Sequence, residues 1–219
     1  METQKQVTEI QLVTKYIDSL LETGKQPSSI YVFSKSLEID EADFYAFFSS
    51  FEQLEKRIFA MFFENALTVL EKNDDYKTYE AKNKLLSLYF TYIEILTQNR
   101  SYVIQALNTH KNGLQNLKKL DSLKKVFGVF IDDLQIEKID FNQEKIEKFQ
   151  NKAIKDVFWA QFLILIKFWM EDTSPSFEKT DIFIEKNVQA TFELIQTQPL
   201  KSLLDLGKFF LKEKMDLKF

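Results

Sequence analysis

Residues 28–54 read SSIYVFSKSLEIDEADFYAFFSSFEQL. Ser28 is placed to cap a helix, its hydroxyl accepting a backbone N–H that a first turn leaves without a partner. Ile30, Phe33, Ser34 and Leu37 follow at helical intervals and make one inward stripe. A break at Glu38–Ile39 precedes Asp40, a second cap, and Phe44, Phe47 and Phe48 then form the inner side of a helix of about two turns. Two short helices joined by a tight turn make a helix-turn-helix.

Outward from this stretch the chain stays helical. Residues 5–22 place Val7, Ile10, Val13, Ile17, Leu20 and Leu21 at amphipathic spacing, and Gly24 suits the left-handed position that ends a helix. A long helix is expected over 51–72, with Leu54, Ile58, Met61, Phe62 and Leu67 inward, then a hinge at Asn73-Asp74-Asp75. Further helices are expected at 79–98, 101–110, 113–134, 143–171, 179–198 and 200–214. A polar connection at 135–142 and a linker at Thr173-Ser174-Pro175-Ser176 interrupt them. With 3 Pro, 4 Gly and no strand-like alternation, the chain reads as all-α. A head at 1–55 and a larger body at 56–219 are expected.

Composition narrows the classes. No cysteine is present, which excludes disulfides and thiolate chemistry and fits a reducing cytoplasm. The first residues, METQKQVTEIQL, lack the charged-then-apolar pattern of a signal peptide. The longest apolar run, Val157–Met170, is 14 residues and is interrupted by Gln161 and Lys167. A membrane span needs about 20, so a soluble, cytoplasmic protein is expected. The net charge is −4, and residues 1–58 hold ten acidic against six basic side chains.

The 28–54 stretch resembles the DNA-binding head of the tetracycline-repressor (TetR) family of bacterial regulators. The resemblance covers residues 10–58 without a gap. It is carried by Gly24, Ser28-Ser29-Ile30, Phe33-Ser34-Lys35, Leu37 to Asp40, Phe44-Tyr45-Ala46-Phe47-Phe48 and Ser50-Phe51-Glu52-Gln53-Leu54. Glu38 stands where the family has its turn glycine, and Phe51 where it has a lysine that contacts a DNA phosphate. The resemblance implies a homodimer on double-stranded DNA. It gives Ser28, Ser29, Lys35 and Tyr45 to phosphates and points Glu41, Ala42 and Asp43 at base edges. It also puts the dimer contact on Val157–Met170 and Ile182–Ile195, with Ile166, Trp169, Phe183, Val188 and Phe192 in it.

Enzyme, cofactor and metal signatures are missing: no Gly-rich phosphate loop, no HExxH and no GxSxG occur. The single histidine, His110, ends a helix, where a charged imidazole favours the dipole; a pocket donor or metal ligand is the alternative. Aromatic residues of the body form either a filled core or the walls of a pocket for a small apolar ligand. These are Tyr89, Phe90, Tyr92, Tyr102, Phe127, Phe130, Phe158, Trp159, Phe162 and Trp169, with Ile93. Two functions follow. One is a regulator whose apolar ligand changes operator affinity; the other is a TetR-fold lipid, isoprenoid or protein-binding module that has lost DNA recognition.

Overall fold

The computed structural model describes residues 7–109, 116–134, 136 and 144–196, and among these residues it contains helices and no strand. His110 and the helix expected at 200–214 lie outside them. The helices are α1 (Glu9–Thr23), α2 (Ile30–Ser36), α3 (Glu41–Tyr45), α4 (Phe51–Glu71), α5 (Asp74–Thr78), α6 (Ala81–Gln98), α7 (Arg100–Leu107), α8 (Asp121–Asp133), α9 (Glu144–Glu171) and α10 (Glu178–Gln196). The chain divides into two compact units. One holds the described residues of Met1–Asn65 and Glu94–Val126; the other holds those of Ala66–Ile93 and Phe127–Phe219.

In the first unit, α1 begins with a capping box, Thr8 and Gln11 each accepting the other's backbone N–H, and ends on Gly24 at φ +70°. Its inward face is Leu12, Val13, Tyr16 and Leu20. Ile10 and Leu21, expected inside, are 66% and 41% exposed. The stripe is rotated because it is built around Tyr16, whose ring is fully buried. Tyr16 meets Phe33 and Phe51 at 6.2 and 5.4 Å between ring centroids, and Phe44 lies 5.5 Å from Phe51. This aromatic cluster is the core of the helix-turn-helix region.

A polar network lies beneath the cluster. The Tyr16 hydroxyl donates to Glu55 at 2.7 Å, and the Lys119 amine sits 3.0 Å from the other Glu55 oxygen. Glu55 and Lys119 are both buried. Burial and the neighbouring Glu55 carboxylate push the Tyr16 hydroxyl well above the usual phenol range, so it stays a donor. This network joins α1 and α4 to the 3-10 turn Lys118–Leu120.

The second unit is built on α9 and α10. Asn73-Asp74-Asp75, expected as a hinge, instead starts a short helix: the Asn73 side chain accepts the Asp75 N–H and caps α5. Between α9 and α10 the chain turns through Asp172–Phe177. Ser176 and Phe177 adopt φ +53° and +60° there, a region L-residues enter only at a cost. Asp172 holds the turn. One carboxylate oxygen accepts from the Ser174 N–H and hydroxyl at 2.8 and 2.7 Å, and the other from the Thr180 N–H and hydroxyl at 2.9 and 2.7 Å.

Burial works against the Asp172 charge, but these hydrogen bonds outweigh it and hold the carboxyl well below the ordinary carboxylate range. A folded pKa below the unfolded value means the stabilisation is complete above the ordinary value of 3.8 and is lost as pH falls through the folded one. The melting temperature of the native protein should therefore drop more steeply than that of Asp172→Asn when thermal scans are run from about pH 5 down to about pH 2. Parallel acid profiles would show that Asp172 does not stabilise the turn through its charge.

Candidate functional site

The helix-turn-helix is α2, the turn 37–40 and α3. Ser29, rather than Ser28, is the cap of α2, its hydroxyl oxygen accepting the Val32 N–H at 3.1 Å. Ser28 lies exposed one residue earlier. Asp40 occupies the cap position of α3, and the Asp43 carboxylate turns back to accept the Asp40 N–H at 3.0 Å. Asp43, expected at base edges, is thereby committed to the helix start. Regular helix ends at Tyr45, so α3 is shorter than the expected two turns, and Phe47 is 41% exposed while Phe44 and Phe48 are buried.

Several side chains face outward, Tyr31 and Val32 among them. Ala42 and Tyr45 are exposed, Tyr45 by 52%, and Glu41 is half-buried. Lys35 is exposed, with its amine 5.8 Å from the Tyr31 ring centre. Three other cations of residues 1–58 are paired. Arg57 bonds Glu9 at 2.8 Å and Glu64 at 2.7 Å, Lys56 bonds Glu52 at 2.9 Å, and Lys15 lies 3.8 Å from Asp18. Among the described residues of the head, Lys25 and Lys35 are left without an ion pair.

Phe51 is 6% exposed and sits between Tyr16, Phe33 and Phe44. The side chain at the family's phosphate-binding lysine position is therefore part of the core. Glu38, at the turn-glycine position, adopts φ +57°. The turn keeps the left-handed geometry that glycine serves without strain.

The body residues separate into groups. Phe162 is fully buried and packs at 5.1 Å on Tyr89, 5.3 Å on Tyr92, 4.8 Å on Phe127 and 5.9 Å on Trp159. Phe130 is buried one turn along α8 from Phe127. Phe158 faces elsewhere, 5.6 Å from Phe192. Tyr102 belongs to the other unit, where it packs on Phe59 and Phe62 at 6.0 and 6.4 Å. A polar group missed by an aromatic reading lies in the Phe162 cluster. The Tyr89 hydroxyl donates to Gln161 Oε1 at 2.7 Å, and the buried Gln161 Nε2 has no hydrogen-bond partner. Burial pushes the Tyr89 and Tyr92 hydroxyls well above the phenol range.

Of the residues expected at a dimer contact, Ile166, Trp169 and Val188 are 4%, 0% and 0% exposed within the chain itself. Their surface is already spent on packing within the chain, so they do not form a free outer face. Phe183 and Phe192 are half-buried. Outward-facing apolar surface on the same two helices comes from Ile164 and Ile182, exposed by 57% and 53%, flanking the stacked Phe168–Phe183 rings. Among the described residues no cluster of His, Cys, Asp and Glu is arranged to hold a metal, and no helix is long and apolar enough to cross a membrane.

The family model for the tetracyclin repressor-like C-terminal domain matches residues 84–210, more than half of the chain. The chain belongs to the TetR family. Among curated proteins, none matches its sequence.

Glu38→Gly tests the turn. Relief of left-handed strain gains about 1–2 kcal/mol, less the roughly 0.5–1 kcal/mol of chain entropy that glycine adds. Urea unfolding should show a net gain of about 0.5–1 kcal/mol. A lower midpoint would mean that the Glu38 side chain itself holds the turn.

Proposed function

We propose that the protein is a transcriptional regulator that binds operator DNA as a homodimer through the head at 1–55. The body at 56–219 responds to a small apolar ligand. The observation that carries this reading is the geometry of α2 and α3. Both helix starts are capped, the turn keeps its left-handed residue, and Ser28, Ser29, Lys35, Ala42 and Tyr45 are exposed on the segment. The Tyr89–Gln161 bond beside a buried free amide N–H supports a ligand that is apolar with one hydrogen-bond acceptor. Such a ligand enters only by displacing rings that now stack on Phe162.

A second reading, a TetR-fold lipid, isoprenoid or protein-binding module without DNA recognition, is favoured by one observation. The acidic residues of α3 have no unpaired cation beyond Lys35 nearby in sequence, and Phe51 supplies no charge. Duplex affinity comes largely from cations on phosphates.

Fluorescence anisotropy against duplex fragments from the upstream region of the protein's own gene separates the two readings. With two unpaired cations among the described residues of each head, a dimer should show a salt slope on the order of −4, and Lys35→Ala should reduce it. No binding at about 50 mM salt would retire the regulator in favour of the carrier, and mass spectrometry of co-purified lipid would follow.

For the dimer, the exposed pair Ile164 and Ile182 is the face to break. Ile164→Asp should convert a dimer to a monomer in light scattering, because it places a charge in the apolar contact, while the fold persists since the site is exposed in the monomer. A native protein that is monomeric at micromolar concentration, or a dimer that survives the substitution, would remove this interface.

A further inference from the structure

A cleft of about 1,220 Å³ opens in the unit that contains the helix-turn-helix. None of its lining residues belongs to the aromatic cluster on Phe162, and its chemistry is different. Small-molecule sites usually occupy roughly 300–1,000 Å³, so there is room for a nucleotide-sized molecule. The buried Glu55–Lys119 pair lies in its wall, with Lys25, Lys118, Ser28 and Ser29 also lining it.

Four lysines and two glutamates line the cleft, two of the lysines coming from the 3-10 turn 118–120. Lys119 is neutralised by Glu55 at 3.0 Å, and Lys56 by Glu52 at 2.9 Å and Asp121 at 3.5 Å. Both glutamates are thus engaged. Lys25 and Lys118 remain, exposed and without an ion pair among the described residues. The hydroxyl hydrogens of Ser28 and Ser29 add two donors, since Ser29 uses only an acceptor lone pair in capping α2. The unsatisfied capacity of the cleft is therefore cationic and donating.

We propose that this cleft binds a small molecule bearing a phosphate or carboxylate group, held by Lys25 and Lys118 with the hydroxyls of Ser28 and Ser29 donating to it. Charge-assisted hydrogen bonds of this kind are about twice as strong as neutral ones. If the head binds DNA as proposed above, an anion seated here occupies the two serine hydroxyls assigned to DNA phosphates. Occupancy of the cleft then opposes duplex binding.

The test is isothermal titration calorimetry of the full chain with sodium tripolyphosphate and, separately, sodium citrate, at ionic strength held constant with sodium chloride. Saturable binding of either probe is expected, weakened about tenfold or more in the Lys25→Ala/Lys118→Ala double variant. It should be unchanged in Lys152→Ala, an exposed lysine of the other unit. Both cleft lysines are exposed, so the double variant keeps its fold, which an unchanged melting temperature verifies. The probe that binds tells phosphate from carboxylate. No saturable heat with either probe, or equal binding by the double variant, overturns the site. Calorimetry needs no DNA, so anion binding stands or falls apart from operator recognition.

Discussion

A single buried carboxylate, Glu55, fastens three stretches of the first unit to one another. Tyr16 of α1 donates to one oxygen and Lys119 of the 3-10 turn pairs with the other, while Glu55 itself belongs to α4. Replacing such a buried pair by well-packed apolar side chains is often neutral or stabilising, whereas removing one partner alone strands a charge and costs about 3–5 kcal/mol. Its contribution is therefore position more than strength. In this placement of residues 118–120 against α4 both oxygens are satisfied. The helix-turn-helix and residues 94–126 accordingly share a compact unit, so whatever moves that 3-10 turn acts on α1 and α4 together.

The family's architecture is retained while the head's charge is redistributed. Helix caps and the left-handed turn residue preserve the geometry of the α2–α3 pair. Three cations of residues 1–58, however, are drawn into ion pairs: Lys15 with Asp18, Arg57 with Glu9 and Glu64, and Lys56 with Glu52. Electrostatic attraction to a polyanion scales with the cations left over. Few cations of this segment are left over for such attraction, and its outward groups include hydroxyls and the exposed Tyr45.

Periodicity and punctuation carried most of the fold into view. Gly24, the caps near Ser28 and Asp40, and the break at Thr173–Ser176 are local signals, and local signals survive folding. The misread positions depend on tertiary partners. Ile10 reads as core because it is apolar, yet Tyr16 holds the inward face because Glu55, distant in sequence, accepts its hydroxyl. Glu55 and Lys119 are individually ordinary surface residues in a sequence, and only their meeting makes them buried. Asn73 looks like a hinge until its side chain is seen capping α5. For the candidate sites, residue type marked the aromatic body but not its grouping. Tyr102 and Phe158 have the same composition signal as Tyr89 and Phe162 and pack in different places. Apolar helices α9 and α10 announced a buried surface, but which of their faces the chain covers itself, as at Trp169, requires the packing.

Phe51 has a consequence for the paths this sequence can take. Its ring meets Tyr16, Phe33 and Phe44, so the core has been cut to fit it. Placing the family's lysine there would set an ammonium group among three aromatic rings, with an unpaired charge to desolvate and a gap where the Phe51 ring had been. Lysine at this position therefore fits only if the neighbouring rings change as well. Position 51 is thus locked by its neighbours: a cation added to this head is better tolerated on its exposed surface than in place of Phe51.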